Sequence, residues 1–293
     1  MKRGRIGWGD MGSVLLYLGA ALAAVYVGLG LALWLMQSRL LYRPVRAVTS
    51  TPAERGLDFE DVAFETEDGL TLHGWYVATA DAPFTILFCH GNAGNVMHRI
   101  DTLVLFRDLG VNCFVFDYRG YGRSEGGPTE IGTYRDARAA YDWLTRTQGV
   151  PAERIVLFGR SLGGSIAAHL AAHVEAGAVV LESAFTSYAD IGASLYPFMP
   201  VRLFARFRYD TRAHLADVRC PVLVVHSRQD ELVPFEHGRR LFEAARKPKR
   251  FVEITGGHGD GFLTSGDVYR NAWIEWLNSL DDDRLEPAAR GTL

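Results

Sequence analysis

The sequence predicts an α/β protein: a mostly parallel sheet of about eight strands, helices on both faces, a small lid, and one N-terminal transmembrane helix. Three observations predict this. Apolar runs of four to six residues alternate with helical patterns along most of the 293-residue chain. A strand, the pentapeptide Gly159-Arg160-Ser161-Leu162-Gly163 and a helix follow one another without a break. Residues 14–36 carry no charged side chain.

The transmembrane element comes first. Its 23 residues would span roughly 34 Å as a helix, enough to cross a bilayer core. Trp8, Tyr17, Trp34 and Tyr42 lie near its ends, where aromatic belts form. A cleaved signal peptide is the competing reading, with Lys2, Arg3 and Arg5 as its charged leader and residues 20–24 near a cut site. The hydrophobic stretch runs twelve residues beyond Ala24, which is too long for a signal core, so a retained anchor is expected. Membrane side stays open, because Lys2, Arg3 and Arg5 balance Arg39, Arg43 and Arg46.

Residues 37–56 read as a connector, and the catalytic-type domain as 57–280. Alternating residues at 59–66 and 70–77 flank Asp68-Gly69, a hairpin signal. Strands follow at 84–89, 111–116, 154–158, 178–181, 221–226 and 250–254. Helical patterns fall at 96–109, 131–147, 162–173, 236–245 and 268–280. Near-continuous apolar strands between helices mean a parallel sheet covered on both faces. Residues 281–293 form a polar tail expected to fray.

Composition sets outer limits. With 48% apolar residues the chain can build a sizeable core, and a net charge of −3 with no basic stripe argues against nucleic-acid binding. Cys89, Cys113 and Cys220 make no disulfide framework and read as buried, inert thiols. The histidines lack paired metal-ligand spacing, and the glycine-rich loops match neither a dinucleotide fingerprint nor a P-loop. No metal and no cofactor are expected. No motif speaks to oligomeric state.

The chemistry centres on Ser161. A strand–turn–helix with serine at its apex strains the backbone and points the hydroxyl into a cleft. Glycines two residues to either side let strand and helix approach closely. A serine hydroxyl is a poor nucleophile and needs a base, itself oriented by a third group. In a parallel sheet those partners belong in loops beyond the carboxyl ends of later strands. Asp230 follows the 221–226 strand and His258 follows the 250–254 strand, giving the order Ser, Asp, His. Glu182, just after the 178–181 strand, is the rival acid, while Asp260 reads as a turn residue and His90, His214 and His237 as weaker bases. The loop His90-Gly91-Asn92-Ala93-Gly94-Asn95 follows the 84–89 strand, and an oxyanion hole is expected from the backbone N–H groups of Asn92 and Leu162. The turn 117–125 (Asp-Tyr-Arg-Gly-Tyr-Gly-Arg-Ser-Glu) is expected to shape the cleft floor.

Together, H-G-N-A-G-N at 90–95, D-Y-R-G-Y-G-R-S at 117–124 and G-R-S-L-G-G at 159–164 resemble the α/β-hydrolase superfamily. Within it they resemble the membrane-anchored serine hydrolases of the esterase and thioesterase branch that includes protein depalmitoylases. The resemblance covers residues 57–280 and the N-terminal anchor. It implies the α/β-hydrolase fold, with Ser161, Asp230 and His258 as the triad.

Residues 185–216 are too few for a large cap and read as a small apolar lid with arginines at its rim, or as a core helix. The expected activity is hydrolysis of carboxylic esters or thioesters with apolar acyl chains, the partners being a small-molecule or lipid acyl ester and the membrane. An aminopeptidase-like or acyl-peptide hydrolase is the alternative within this fold, and a non-catalytic binding module the alternative outside it. Neither Glu182 nor Asp190 is spaced to bind a charged peptide terminus.

Overall fold

The computed structural model describes the backbone of residues 8–290 and the side chains of 12–281; Lys2, Arg3, Arg5, the Trp8 side chain and residues 291–293 lie outside the described residues. Helix α1 (Trp8–Leu41) is unbroken for 34 residues, and from Gly12 to Leu41 it is long and apolar enough to cross a membrane. It outruns the charge-free core at both ends because no proline occurs before Pro44.

Eight strands form one sheet. β1 (Glu60–Glu65) and β2 (Thr71–Val77) make the antiparallel hairpin, and β2 pairs antiparallel with β4. β3 (Thr85–Cys89), β4 (Asn112–Phe116), β5 (Ile155–Arg160), β6 (Ala178–Glu182), β7 (Val222–Ser227) and β8 (Lys249–Ile254) run parallel to one another. The order across the sheet is β8-β7-β6-β5-β3-β4-β2-β1. Every residue of β3, β5, β6 and β7 is buried, which is why these strands read as continuous apolar runs.

Strand side chains alternate between two cores. Leu87, Phe114, Leu157 and Leu181 enter one, beneath α3 (Glu130–Asp142) and α4 (Leu162–Ala171). Phe88, Val115, Phe158 and Val180 enter the other, against α2 (Ile100–Asp108) and the C-terminal helix. Between α4 and β7 lie α5 (Tyr188–Leu195), α6 (Val201–Phe204) and α7 (Thr211–Leu215). The last helices are α8 (Phe235–Ala244), α9 (Gly261–Thr264) and α10 (Gly266–Arg290).

Three boundaries differ from the sequence reading. The segment 185–216 is half lid and half core: Tyr209 and Leu215 are fully buried, while Phe198 and Leu203 are 70% and 80% exposed. Helix α10 continues to Arg290, through the segment read as a polar tail, although Leu280 is its last buried residue among those described. The connector is no free linker. Arg43–Pro44 pairs in parallel with Ala93–Gly94, and Asn95 Nδ2 donates to the carbonyls of Val45 (3.0 Å) and Ala47 (2.8 Å).

Burial holds five imidazoles below their usual range: His90, His169 (at about 4), His214, His226 and His237. A group with a depressed folded pKa contributes stability above its unfolded value, about 6.5 for histidine, and that stability is lost as pH falls through the folded value. Thermal melts should therefore hold steady from about pH 8 to 7 and fall progressively from about pH 6.5 towards 4.

Candidate active site

The sheet order reverses between β3 and β5, and a crevice opens beyond their carboxyl ends. Ser161 stands there, at the turn from β5 into α4, with φ 56° and ψ −121°. That backbone is strained for a serine and persists because both sides are packed. A Cβ on Gly159 would lie 2.3 Å from the Gly163 carbonyl oxygen, and one on Gly163 would lie 1.9 Å from that of Cys89. Only glycine fits at either place. The Ser161 N–H donates to the Glu182 carbonyl at 2.9 Å, which fixes the turn to β6.

The three predicted side chains converge. His258 Nε2 is 2.9 Å from Ser161 Oγ, and His258 Nδ1 is 2.9 and 3.0 Å from the two carboxylate oxygens of Asp230. The Asp230 side chain is wholly buried, and its Oδ1 also accepts the N–H groups of Leu232 (3.0 Å) and Val233 (2.7 Å). Burial pushes the Asp230 pKa up, but the hydrogen bond and charge of His258, with the Val233 N–H, outweigh it and leave the carboxyl below its ordinary range. Asp230 is thus ionised at neutral pH and holds the Nδ1–H of His258, leaving Nε2 to face the serine hydroxyl.

Glu182 is engaged elsewhere. Its Oε1 accepts from Arg160 Nε at 2.5 Å and its Oε2 from the Tyr269 hydroxyl, both buried. Asp260 caps its own turn, accepting the Gly257 N–H at 2.7 Å.

Asn92 and Leu162 face the same crevice as Ser161 and His258. Leu162 opens α4, so its N–H has no partner within the helix. The Asn92 loop is braced from two directions. Its carbonyl accepts from the Tyr121 hydroxyl (2.8 Å) and the Arg43 N–H (3.1 Å), and its side-chain amide donates to the Leu41 carbonyl (2.8 Å). None of residues 117–125 lines the crevice, so this turn is not the cleft floor that its sequence suggests; it touches the site through Tyr121, which braces the Asn92 loop.

Two groups of supporting residues escape the sequence reading. Glu231 Oε2 accepts the His258 N–H at 3.0 Å, and Gln229 Oε1 accepts the Gly256 N–H at 2.7 Å, locking the aspartate and histidine loops together. Their adjacency to Asp230 is the only sequence cue. Residues of α1 also line the crevice, which is a cavity of about 450 Å³. Its walls come from α1, the lid and the loops carrying Asn92, Leu232 and His258, and among the described residues no Asp or Glu lines it. Such a site can accept an apolar chain, present a carbonyl to Ser161 and stabilise an oxyanion.

Residues 85–203 match the alpha/beta hydrolase fold family. The alpha/beta hydrolase domain-containing protein WAV2 of Arabidopsis thaliana is 36% identical over 269 residues, covering 82% of this chain and 87% of that one. The chain belongs to the α/β-hydrolase superfamily. This α/β-hydrolase is also 40% identical over 266 residues to the uncharacterized protein Rv2307c of Mycobacterium tuberculosis, covering 88% and 93% of the two chains. The esterase Pf2001 of Pyrococcus furiosus shares the hydrolase's fold at a TM-score of 0.69 and 21% identity, over 82% of this chain and 98% of the esterase. Cys89 is buried and Cys220 half-buried, and desolvation pushes both thiols up to about 12, so neither is a thiolate at neutral pH.

Proposed function

We propose that this hydrolase cleaves carboxylic esters or thioesters with apolar acyl chains through an acyl-enzyme on Ser161. The observation that carries the reading is the unbroken chain Ser161–His258–Asp230, each link at about 3 Å, opening into an apolar cavity. Ser161 Oγ attacks the acyl carbonyl as its proton passes to His258 Nε2. The backbone N–H groups of Asn92 and Leu162 hold the resulting oxyanion. Collapse breaks the carbonyl–oxygen or carbonyl–sulfur bond, and His258 returns its proton to the leaving alcohol or thiol. Water, deprotonated by His258, then attacks the acyl-enzyme, releasing the fatty acid and restoring Ser161.

An aminopeptidase reading finds less support. A peptide's free amino terminus needs an acid in the pocket, whereas Asp190 pairs with Arg202 at 3.0 Å and Glu182 with Arg160. Helix α1 acts as a retained anchor in this reading: the apolar span from Gly12 to Leu41 is continuous with the residues, Gly30 to Leu41, that supply a wall of the cavity.

A panel of p-nitrophenyl esters tests the substrate class. Rates in kcat/KM should rise from acetyl to decanoyl, and aminoacyl amides should be turned over far more slowly. A steady fall from acetyl to decanoyl, or preference for the amides, would overturn the assignment.

A further inference from the structure

The cavity is lined on one flank by Gly30, Leu33, Trp34, Gln37, Leu40 and Leu41. These recur at three- and four-residue steps, so one face of α1 is turned towards the active site. The lid packs along the same face. The Tyr26 hydroxyl donates to the Phe198 carbonyl at 3.1 Å. Gln37 donates through Nε2 to the Phe204 carbonyl at 2.9 Å and accepts the Arg206 N–H at 2.8 Å. A Cβ on Gly30 would stand 3.2 Å from Met199 Cε.

Those contacts fix the depth of the lid. From Tyr26 to Gln37 is about 16 Å along the helix. Residues 14–25, the charge-free part that the lid leaves alone, reach only about 18 Å, too little for a hydrocarbon core of about 30 Å. A membrane-spanning α1 must therefore take the lid into the bilayer with it. The chemistry of the lid suits that place. Leu195, Phe198, Leu203 and Phe204 are exposed and apolar. Arg202, the one cation on α6, is paired with Asp190, and Arg206 lies 4.9 Å over the Trp34 ring, a pairing suited to the headgroup level. In hydrocarbon an irregular backbone must find internal partners, and Tyr26 and Gln37 supply them to three lid groups.

We propose that the acyl chain of a membrane-resident ester enters the active-site cavity sideways from the hydrocarbon, through the seam between α1 and the lid. Helix α1 is then a wall of the acyl site as well as an anchor. The inference rests on the serine hydrolase reading. Chain and carbonyl move from lipid towards Ser161 while the leaving group stays on the aqueous side, where His258 is 15% exposed.

The test uses the full chain in phosphatidylcholine nanodiscs, with p-nitrophenyl palmitate dissolved in the bilayer and p-nitrophenyl acetate in the water. Gly30→Phe, which fills the seam, should lower the palmitate-to-acetate ratio of kcat/KM at least tenfold. Leu35→Phe, on the opposite side of α1, should leave that ratio within twofold. Unchanged selectivity in Gly30→Phe, with both esters still hydrolysed, overturns lateral entry alone. Absence of hydrolysis and of fluorophosphonate labelling in the unsubstituted protein overturns the serine hydrolase reading and the inference with it. If Gly30→Phe itself fails to take the fluorophosphonate, the unsubstituted protein decides the matter. A palmitoyl ester carrying a terminal diazirine should crosslink to residues 26–37, and crosslinks confined to other segments overturn the proposal.

Discussion

Ser161→Ala should lower ester hydrolysis by on the order of 10⁵- to 10⁶-fold and abolish labelling by a fluorophosphonate. In the proposed mechanism the Ser161 hydroxyl oxygen forms the covalent bond, and it is the side-chain atom that His258 Nε2 meets, at 2.9 Å. The residual rate would come from the Asn92 and Leu162 N–H groups acting on a bound ester attacked directly by water. The fold should survive. Alanine is smaller than serine, the strained φ of 56° is set by Gly159, Gly163 and the Glu182 carbonyl, and the one side-chain bond lost is that to His258. A Tm within about 2 °C of the unsubstituted protein, worth about 1 kcal/mol in a chain of this size, would mark the loss as chemical. A rate loss below tenfold, or persistent labelling, would remove Ser161 from the mechanism.

The second large effect separates two buried carboxylates. Asp230→Asn should cost about 10⁴-fold in kcat, because an amide can donate to His258 Nδ1 and so select the tautomer that puts a proton on Nε2, facing the serine. Glu182→Gln should act on the fold instead. Arg160 is only 6% exposed and its Nε has Glu182 as its carboxylate partner, so an uncompensated buried cation would remain, at a cost of about 3–5 kcal/mol. Kinetics and thermal melts on both variants should show opposite patterns: Asp230→Asn stable and slow, Glu182→Gln unstable and comparatively active while folded. The reverse pattern would make Glu182 the acid that orients the base.

The sheet and the nucleophile turn were legible because each is a local signal. β3, β5, β6 and β7 are buried on both faces and so carry unbroken apolar runs, and Gly159 and Gly163 sit where any Cβ would strike backbone. Asp230 and His258 could be read because the topology sends later loops to the same crevice. What escaped is relational. In α1 nearly every position is apolar, so the stripe through Gly30, Leu33 and Gln37 leaves no contrast in the sequence. The lid divided at about residue 207 for a similar reason: Phe198 and Tyr209 are both large aromatics, and only their surroundings distinguish an exposed ring from a core one. Glu231 looked like one more loop acid, since the backbone N–H that it holds lies 27 residues away.

The brief parallel pairing of Arg43–Pro44 with Ala93–Gly94 makes the segment at the foot of α1 a structural edge of the loop that holds Asn92. The body of the hydrolase is consequently denied a swivel: its cleft keeps a set bearing on the axis of α1. Excising the first 44 residues would strip that edge from its neighbour and lay one flank of the cleft open to water.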